Sequence, residues 1–349
     1  MANYDSPRYW RWYAQQQTVF TGFNNTAGTW TNAGWSPIRL DADSVNRTRN
    51  APYSRFPVLT GTRSEVVGIR GRKNATFSIR GVPIIPSGVA GTIPDLDILF
   101  QCAFGQAATV VASTSVTYSL LGTGYLPFSL LGWPHGVTSL TAQALWGCII
   151  TRIVFNFNGL FLTMDVDGMA GNMIDSTGFA AFDTLGKGGL TTYPAEPSSP
   201  TVNGQPIAGF GSGYTTTLDS GSIELKVRTR SITWETGLEL VQDVEGSPYP
   251  IAVVGGPRRF SLALSALNDD TSALNAIKTA CDTDNVSPIN LVSVSGTAAG
   301  SIMTFNLNNI QPNAFNLRDN GNMVDFELPA SYAHASAVGL ENDATISFT

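Results

Sequence analysis

A series of short motifs occurs twice in this sequence, in the same order in both copies. The matching anchors are Ile38 and Ile223, Phe77 and Phe260, Leu96 and Leu274, and Phe155 and Phe305, with separations of 185, 183, 178 and 150 residues. Two unrelated segments would not be expected to share an order over this length. We therefore predict that the chain contains two copies of one structural unit, and that the copies superpose at these anchors.

The repeated motifs have the period of β-strands, with apolar residues at every second position. In 222–230, apolar side chains alternate with Glu224, Lys226, Arg228 and Arg230. This pattern predicts a half-buried antiparallel strand whose charged residues face solvent. Two segments have helical spacing instead, at positions 96, 99, 100 and 103 and at positions 274, 277, 278 and 281. Each copy is therefore predicted to contain one short helix.

A connector separates the two copies. Residues 186–213 hold seven Gly, four Pro and three Ser, a composition typical of an extended linker outside any core.

We expect a mainly β protein of two tandem β-sandwich domains, each with one short flanking α-helix. The first domain is predicted at 1–185, with an N-terminal arm and a long loop at 106–146, and the second at 214–349. The long loop occurs in one copy only, so it is a candidate contact arm.

Composition favours folded domains with little charge. Of 349 residues, 43% are apolar and 13% are charged, against roughly 25% charged residues in an average soluble domain. The sequence has no run of about 18 apolar residues and no signal-peptide pattern, so we expect neither a membrane-spanning helix nor secretion. Cys102, Cys148 and Cys281 occur in apolar contexts without metal-binding spacing. We expect them to be reduced, buried thiols.

Charge is divided unevenly along the chain. Residues 1–80 hold 11 Lys or Arg and four Asp or Glu, a net charge of +7, whereas the remainder has a net charge of −13. The candidate inter-subunit residues in the basic part are Arg47, Arg49, Arg55, Arg63, Arg70, Arg72 and Lys73. A basic segment can bind nucleic acid, but this one lacks the regular interleaving with aromatic residues that base stacking requires. We therefore favour docking of one copy of the chain on another.

Two pairs of acidic residues occupy corresponding predicted strands. Asp165 and Asp167 lie two residues apart on one strand, and Asp325 and Glu327 do so on the other. Residues two apart on a strand point to the same face. The pairs are candidates for a shared functional surface, although simple solvation of a strand face explains them equally well.

The known catalytic motifs do not fit this sequence. His135 and His334, the only two histidines, occur in unrelated contexts. The glycine-rich segment 209–213 precedes a Thr-rich strand rather than the helix that a phosphate-binding loop requires. The segment that begins at Asp165 lacks the later oxygen ligands of a calcium loop. We therefore expect no enzyme activity, no catalytic residue, no cofactor and no metal.

Several motifs resemble those of the major tail tube proteins of long-tailed bacteriophages. They are the glycine-led strand 71–79, the turn Pro86-Ser87-Gly88, the helix start Pro94-Asp95-Leu96-Asp97 and the helix stop at Gly105. The resemblance extends over about residues 65–170, and a weaker one over 220–349 is carried by 255–260 and 272–281. The aromatic segment 9–13 matches no motif of that family.

The resemblance implies an architecture and a set of partners. In that family, one sheet of each of six domains joins a closed barrel around a DNA channel. A chain with two domains would form a trimeric, pseudo-sixfold ring that stacks into a tube, with Asp165, Asp167, Asp325 and Glu327 facing the lumen. The implied partners are the tape measure, terminator and distal tail proteins, together with passing double-stranded DNA that is not specifically bound; no membrane is implied. The implied location is the virion tail, assembled in the host cytoplasm.

Three other classes of protein remain as alternatives at this point. A carbohydrate-binding or receptor-binding virion protein would use exposed aromatics, for which Trp10, Trp12, Trp30 and Trp35 are the candidates. An outer-membrane barrel would require a signal peptide, and a β-rich hydrolase would require an acid–base pair.

Overall fold

The structure is a computed structural model that describes most of the chain. The described residues are 10–17, 35–38, 40, 44–50, 52–56, 66–121, 124–134, 143–157, 160–175, 207, 215–218, 223–242, 249–268, 274–275, 278–279, 282, 289–312, 314–321, 323–334 and 342–349.

These residues form a mainly β protein with several antiparallel sheets. The elements are β1 (Trp10–Gln16), β2 (Ser36–Ile38), β3 (Val45–Asn50), β4 (Tyr53–Phe56), β5 (Val66–Arg70), β6 (Asn74–Pro83), α1 (Asp97–Phe104), β7 (Thr109–Val111), β8 (Ser115–Ser119), β9 (Phe128–Pro134), β10 (Gln143–Asn156), β11 (Thr163–Asp175), β12 (Thr215–Leu218), β13 (Ile223–Glu224), β14 (Val227–Glu235), β15 (Leu238–Gln242), β16 (Pro250–Gly255), β17 (Arg259–Leu267), β18 (Ile289–Ser295), β19 (Met303–Ile310), β20 (Asn316–Asn320), β21 (Met323–Ala333) and β22 (Ala344–Phe348). No helix among the described residues has the length and apolar character needed to cross a membrane.

The first sheet contains two series of four strands that pair in the same order. The first series is β3-β6-β11-β10, the second series is β14-β17-β21-β20, and β10 pairs with β14 to join them. In each series, the first two strands in space are the two sides of one hairpin, β3 with β6 and β14 with β17. The fourth strand in space comes before the third in sequence, since β10 precedes β11 and β20 precedes β21. The strands β9, β1 and β2 extend the sheet from the other half of β10, which brings the total to 11 strands.

Each series begins with a hairpin whose far part forms a separate two-stranded arm. The strands β3 and β6 lead into β4 and β5, and the strands β14 and β17 lead into β15 and β16. At both bends a glycine N–H donates to a carbonyl across the hairpin, from Gly71 to Pro52 and from Gly256 to Gly237, each at 2.6 Å. The first arm (53–70) and the second arm (238–255) therefore leave the sheet at the same end.

The second sheet, β13-β12-β18-β19-β22-β8-β7, packs against the first sheet and draws strands from both halves of the chain. The rings of Phe155 in β10 and Phe305 in β19 meet edge to face at 5.1 Å across the interface between the sheets. Phe77 and Phe260 belong to the same large hydrophobic cluster. The two halves therefore share one core.

The first predicted helix is confirmed as α1. Its apolar side chains Leu99, Phe100 and Ala103 are buried, and the Gly105 N–H closes the helix on the Gln101 carbonyl with a left-handed φ of 81°. In the second predicted helix, residues 274–275, 278–279 and 282 have helical geometry, and the other residues of that segment lie outside the described part of the chain.

The predicted superposition of Phe155 on Phe305 is wrong. Phe155 lies in the first sheet and Phe305 in the second, so the two residues pack against each other across the core instead of occupying equivalent places. Pairing order makes β20 the counterpart of β10. The mistaken match arose because alternating apolar and polar residues fit any half-buried strand, whichever sheet contains it.

The predicted single strand at 222–230 is also wrong. The chain crosses from β13 in the second sheet to β14 in the first, and a bulge between Val227 and Thr229 reverses the alternation. Arg230 consequently points into the core and is only 1% exposed. Its guanidinium lies 3.8 Å from the centre of the Phe157 ring and donates to Thr216 Oγ1.

Two segments predicted to lie outside the core contribute to it. In the predicted linker, Ile207 is buried, its N–H donates to the Ile84 carbonyl, and its own carbonyl accepts from the Leu162 N–H. The other residues of 186–213 lie outside the described part. The predicted loop 106–146 contains β7, β8, β9 and the start of β10, where Trp146 is fully buried. The sequence did not predict a strand at the start of β10, because side chains on both faces are apolar and polar residues do not alternate with them.

Candidate assembly surfaces

The face of the first sheet opposite the core, called the outer face below, carries short polar side chains together with charged ones. Alternation places Thr76 and Ser78 of β6 and Ser261 and Ser265 of β17 on this face. The second arm covers one end of it, where Val253 packs in a small cluster with Ile149, Met169, Leu238 and Leu240.

The acidic pair of the first series lies on the outer face, and both carboxylates are bonded. Asp167 accepts two hydrogen bonds from Arg80, at 2.5 and 3.2 Å, and Arg152 lies 3.9 Å away on its other side. Asp165 accepts from the Gly81 N–H at 2.6 Å and from the Asn156 side-chain amide at 3.2 Å. These acids order the outer face through their partners on β6 and β10.

The acidic pair of the second series also has arginine partners. Asp325 is 3% exposed and lies 3.3 Å from Arg228 Nε. Glu327 lies 3.4 Å from Arg318 on the neighbouring strand β20. The two acidic pairs therefore lie on β11 and β21, which occupy the same place in the two series. The sequence predicted that the pairs lie on corresponding strands.

A row of alternating charge crosses the junction between the two series. Asp167 opposes Arg152 in register, Arg152 opposes Glu235, and Glu235 opposes Arg259. Opposite charges on directly opposed strand residues stabilise a sheet by roughly 0.2–1 kcal/mol per pair. The outer face is therefore balanced in charge rather than uniformly acidic. The arginines were missed from sequence because only strand register brings them beside the acids.

The candidate basic residues separate into contacts within the chain and exposed positions. Arg47 lies on the core side of β3, with its guanidinium 4.9 Å from the centre of the Trp12 ring. Lys73 Nζ lies 3.4 Å from the Tyr249 hydroxyl of the second arm. Arg49 and Arg72 are exposed near the base of the first arm.

The other three candidates belong to the first arm. Arg55 lies in β4 and Arg70 in β5, and the side chains of both residues are outside the described part of the structure. Arg63, between these strands, is outside it as well. Six of the seven candidates, all except Arg47, thus belong to the arm or its base.

Both ends of the double series are sheet edges with one unoccupied side among the described strands. The edge strands are β3 and β20. On β20, Leu317 opposes the buried Phe326 and points to the core side, yet it is 56% exposed. Its counterpart on β10 is Ile153, which opposes the buried Val166 and is 0% exposed because β14 and the second series cover it. The sequence carries no signal of this, since 316–320 shows no regular apolar alternation.

The described part of the chain does not bring metal-ligating side chains together. No group of three or more His, Cys, Asp or Glu side chains in this part of the chain could hold a metal ion. Burial raises the pKa of the Cys102 and Cys148 thiols, which are both free. Burial also raises the pKa of Tyr118, whose hydroxyl donates to Asp97 at 2.6 Å. His135 and Cys281 lie outside the described residues.

Among the described residues, the tryptophans predicted for sugar or receptor binding do not form an exposed cluster. Trp12 and Trp35 are buried. The side chain of Trp10 and all of Trp30 lie outside the described part. The structure therefore gives that alternative no support.

The sequence was also compared with known proteins. No model of a protein family matches it, and no curated protein sequence is significantly similar to it.

Proposed function

We propose that this protein is a structural virion protein, the major tail tube subunit of a bacteriophage. In this proposal each strand series belongs to one of two fused tube-type β-sandwich units. Three copies form a ring of pseudo-sixfold symmetry, and rings stack into the channel that conducts DNA. The observation that carries the proposal is the edge-to-edge joining of two identically ordered four-strand series, with an edge at each end that pairs with no other described strand.

In this proposal, the strand pairing that joins the two series within one chain is repeated between neighbouring copies in the ring. Within the chain, β10 pairs antiparallel with β14. Their counterparts are β20 and β3, the two free edges, and the alternating strand directions along the eight strands make these two edges antiparallel as well. Pairing β20 of one copy with β3 of the next would bury Leu317 as Ile153 is buried. It would also remove exposed sheet edges, which otherwise favour aggregation.

The resulting barrel has a suitable diameter. Three copies of the eight-strand double series supply 24 strands. With strands about 4.8 Å apart and tilted by about 40°, the backbone cylinder is roughly 50 Å wide. A DNA duplex fits inside after the side chains are subtracted.

The outer face has properties that suit a lumen. Its short Ser and Thr side chains carry no positive charge that could hold a phosphate electrostatically. The arginines Arg80, Arg152, Arg228 and Arg318 each have a carboxylate partner. Because tight phosphate binding depends on uncompensated Lys and Arg, this balance favours passage of DNA over retention.

The remaining partners and the location are part of the same proposal. A tube subunit would meet the tape measure protein in its lumen, and the terminator and distal tail proteins at the tube ends. It would be assembled in the host cytoplasm and be found in the virion tail. The absence of enzyme activity, cofactor and membrane partners belongs to this proposal as well.

Electron microscopy of the purified protein, with one edge variant, tests the proposal. The wild-type protein is expected to form rings and tubes. Leu317→Asp is expected to leave the monomer folded, because the side chain is exposed there, and to abolish rings, because closure would bury an unpaired charge.

Leu121→Asp is the matched control, since Leu121 is 42% exposed and lies away from both sheet edges of the double series. It should form rings normally. A wild-type protein that stays monomeric at high concentration, or a Leu317→Asp variant that assembles like the control, would rule the proposal out.

A further inference from the structure

The second arm folds back over the first strand series of the same chain. Its residue Leu240 packs in one apolar cluster with Ile149 and Met169, which oppose each other on the outer face of β10 and β11. Further along the arm, the Tyr249 hydroxyl lies 3.4 Å from Lys73 Nζ at the base of the first arm. The second arm therefore crosses from β14 over β10 and β11 as far as the start of β6.

The first arm leaves its own strands with the same backbone register. Both arms contain 18 residues, 53–70 and 238–255. In each arm the first residue pairs with the last, Tyr53 with Arg70 and Leu238 with Gly255. Below the arms, the pairing of β3 with β6 is repeated by β14 and β17 at a constant offset of 185 residues. Each residue near one arm base therefore has a defined counterpart near the other.

The same register identifies the counterpart of the covered surface in the second series. Met169 of β11 corresponds to Tyr332 of β21, because the residues that oppose them on β6 and β17 are 185 positions apart. Met169 opposes Ile149, and Tyr332 opposes Gln311. Ile149 is only 1% exposed beneath the second arm, whereas Gln311 is exposed and Tyr332 is partly exposed. The pair of Gln311 and Tyr332 is therefore an open counterpart of a covered pair.

Ring closure brings the first arm of a neighbouring copy to this surface. In the proposed ring, β3 of one copy pairs with β20 of the next, as β14 pairs with β10 within one chain. The first arm then begins beside β20, just as the second arm begins beside β10. The same course takes it over β20 and β21.

The residues on both sides of the contact differ from the covered case in the same direction. Within the chain the contact is apolar on both sides, with Leu240 packed in the cluster of Met169. The counterpart of Leu240 in the first arm is Arg55, and the counterpart surface holds Gln311 and Tyr332. A contact between separately folded copies meets water before assembly, and Arg and Tyr are enriched in such interfaces. Polar and aromatic residues on both sides therefore suit a contact between copies.

From these observations we infer that the first arm of each copy lies on the outer face of β20 and β21 of its neighbour in the same ring. The surface around Gln311 and Tyr332 is thus a docking site for a second copy of this chain. Every arm in the ring then covers the unit beside it, alternately within a chain and between chains. This inference rests on the proposed ring.

Pairs of cysteines test this contact in a Cys281→Ser background treated with a short bis-maleimide. Arg55→Cys with Tyr332→Cys is the pair between copies. A link within one chain is excluded for it, because β6 and β21 are five strand spacings, about 24 Å, apart. The expected products stop at a covalent trimer on a denaturing gel, since three copies close one ring. Leu240→Cys with Met169→Cys is the matched control, and it should link only within one chain.

A second pair, Gly68→Cys with Gln311→Cys, repeats the test with every arginine in place. It corresponds to Val253 and Ile149, which pack together within the chain. Its products are also expected to stop at the trimer, even where Arg55→Cys itself weakens assembly.

The outcomes separate this inference from the proposed function. Each single-cysteine variant can give a dimer at most. If rings form but neither pair between copies gives a trimer, or if the products form a ladder beyond the trimer that joins stacked rings, the inferred contact is wrong while the ring stands. If the wild-type protein forms no rings, the proposed function fails and the inference fails with it.

Discussion

At the scale of single residues, the arrangement of charge differs from what composition indicates. The acids at 165, 167, 325 and 327 follow a strand period, and the sequence places them on exposed strand faces. Each carboxylate is nevertheless bonded, and Asp325 is almost completely buried beside Arg228. Arg230 is turned into the core by one bulge. Both outcomes depend on strand register, which a one-residue shift reverses.

The buried thiols give a prediction at this scale. Cys102 and Cys148 are expected not to react with a maleimide in the folded protein, because burial raises the pKa of both thiols and excludes the reagent. A pKa that is higher in the folded state means that the unfolded state loses its proton first. The free energy of unfolding should therefore decrease as the pH rises above about 8.5, the ordinary thiol pKa.

Peptide mapping after labelling measures the first effect at each cysteine separately. Denaturant unfolding at pH 7 and pH 9.5, for the wild type and for Cys148→Ala, measures the second. Rapid labelling of either residue in the native protein would contradict the burial of that thiol.

At the scale of elements, local signals predicted the type of a segment better than its place. The spacing of apolar residues and Gly105 predicted α1, and alternation predicted most strands. Prediction from local signals failed in the first half of β10, because the side chains on both faces of that strand are apolar. It also failed at 225–226, because the chain passes there from the second sheet to the first.

The helix provides the prediction at this scale. Leu99→Ala should lower the free energy of unfolding by about 2–5 kcal/mol, because Leu99 is 0% exposed and its removal leaves a cavity in the shared core. Ile93→Ala is the control, since Ile93 is half exposed and should change the value by less than about 0.5 kcal/mol. Denaturant unfolding gives both numbers, and equal effects would show that α1 is not packed as described.

At the scale of the whole molecule, the charge division separates the two arms. Most of the candidate basic residues belong to the first arm or its base, whereas the second arm has three acids and no Lys or Arg. An exposed ion pair contributes only about 0–1 kcal/mol, but repeated copies of one interface multiply the effect.

Reversal of charge at the first arm is the corresponding prediction. Arg70→Glu with Arg72→Glu should block tube assembly and leave the monomer folded, because the arm lies outside the shared core. Arg70→Lys with Arg72→Lys, which keeps both positive charges at the same positions, is the control and should assemble normally. Sedimentation at low and at physiological salt measures assembly. Tubes of normal length from the double variant would contradict a role of this arm in assembly.

The sequence by itself determined the strand-rich class, the position of α1, the division of charge and the presence of duplicated signals. These depend on the period of side chains and on local backbone preferences, which are properties of neighbouring residues. Only the tertiary structure decided that the halves share one core, that β20 and not β19 corresponds to β10, and which arginine pairs with which acid. These depend on the register and sheet assignment of strands far apart in the chain, and an alternating pattern fits several registers equally well until packing selects one.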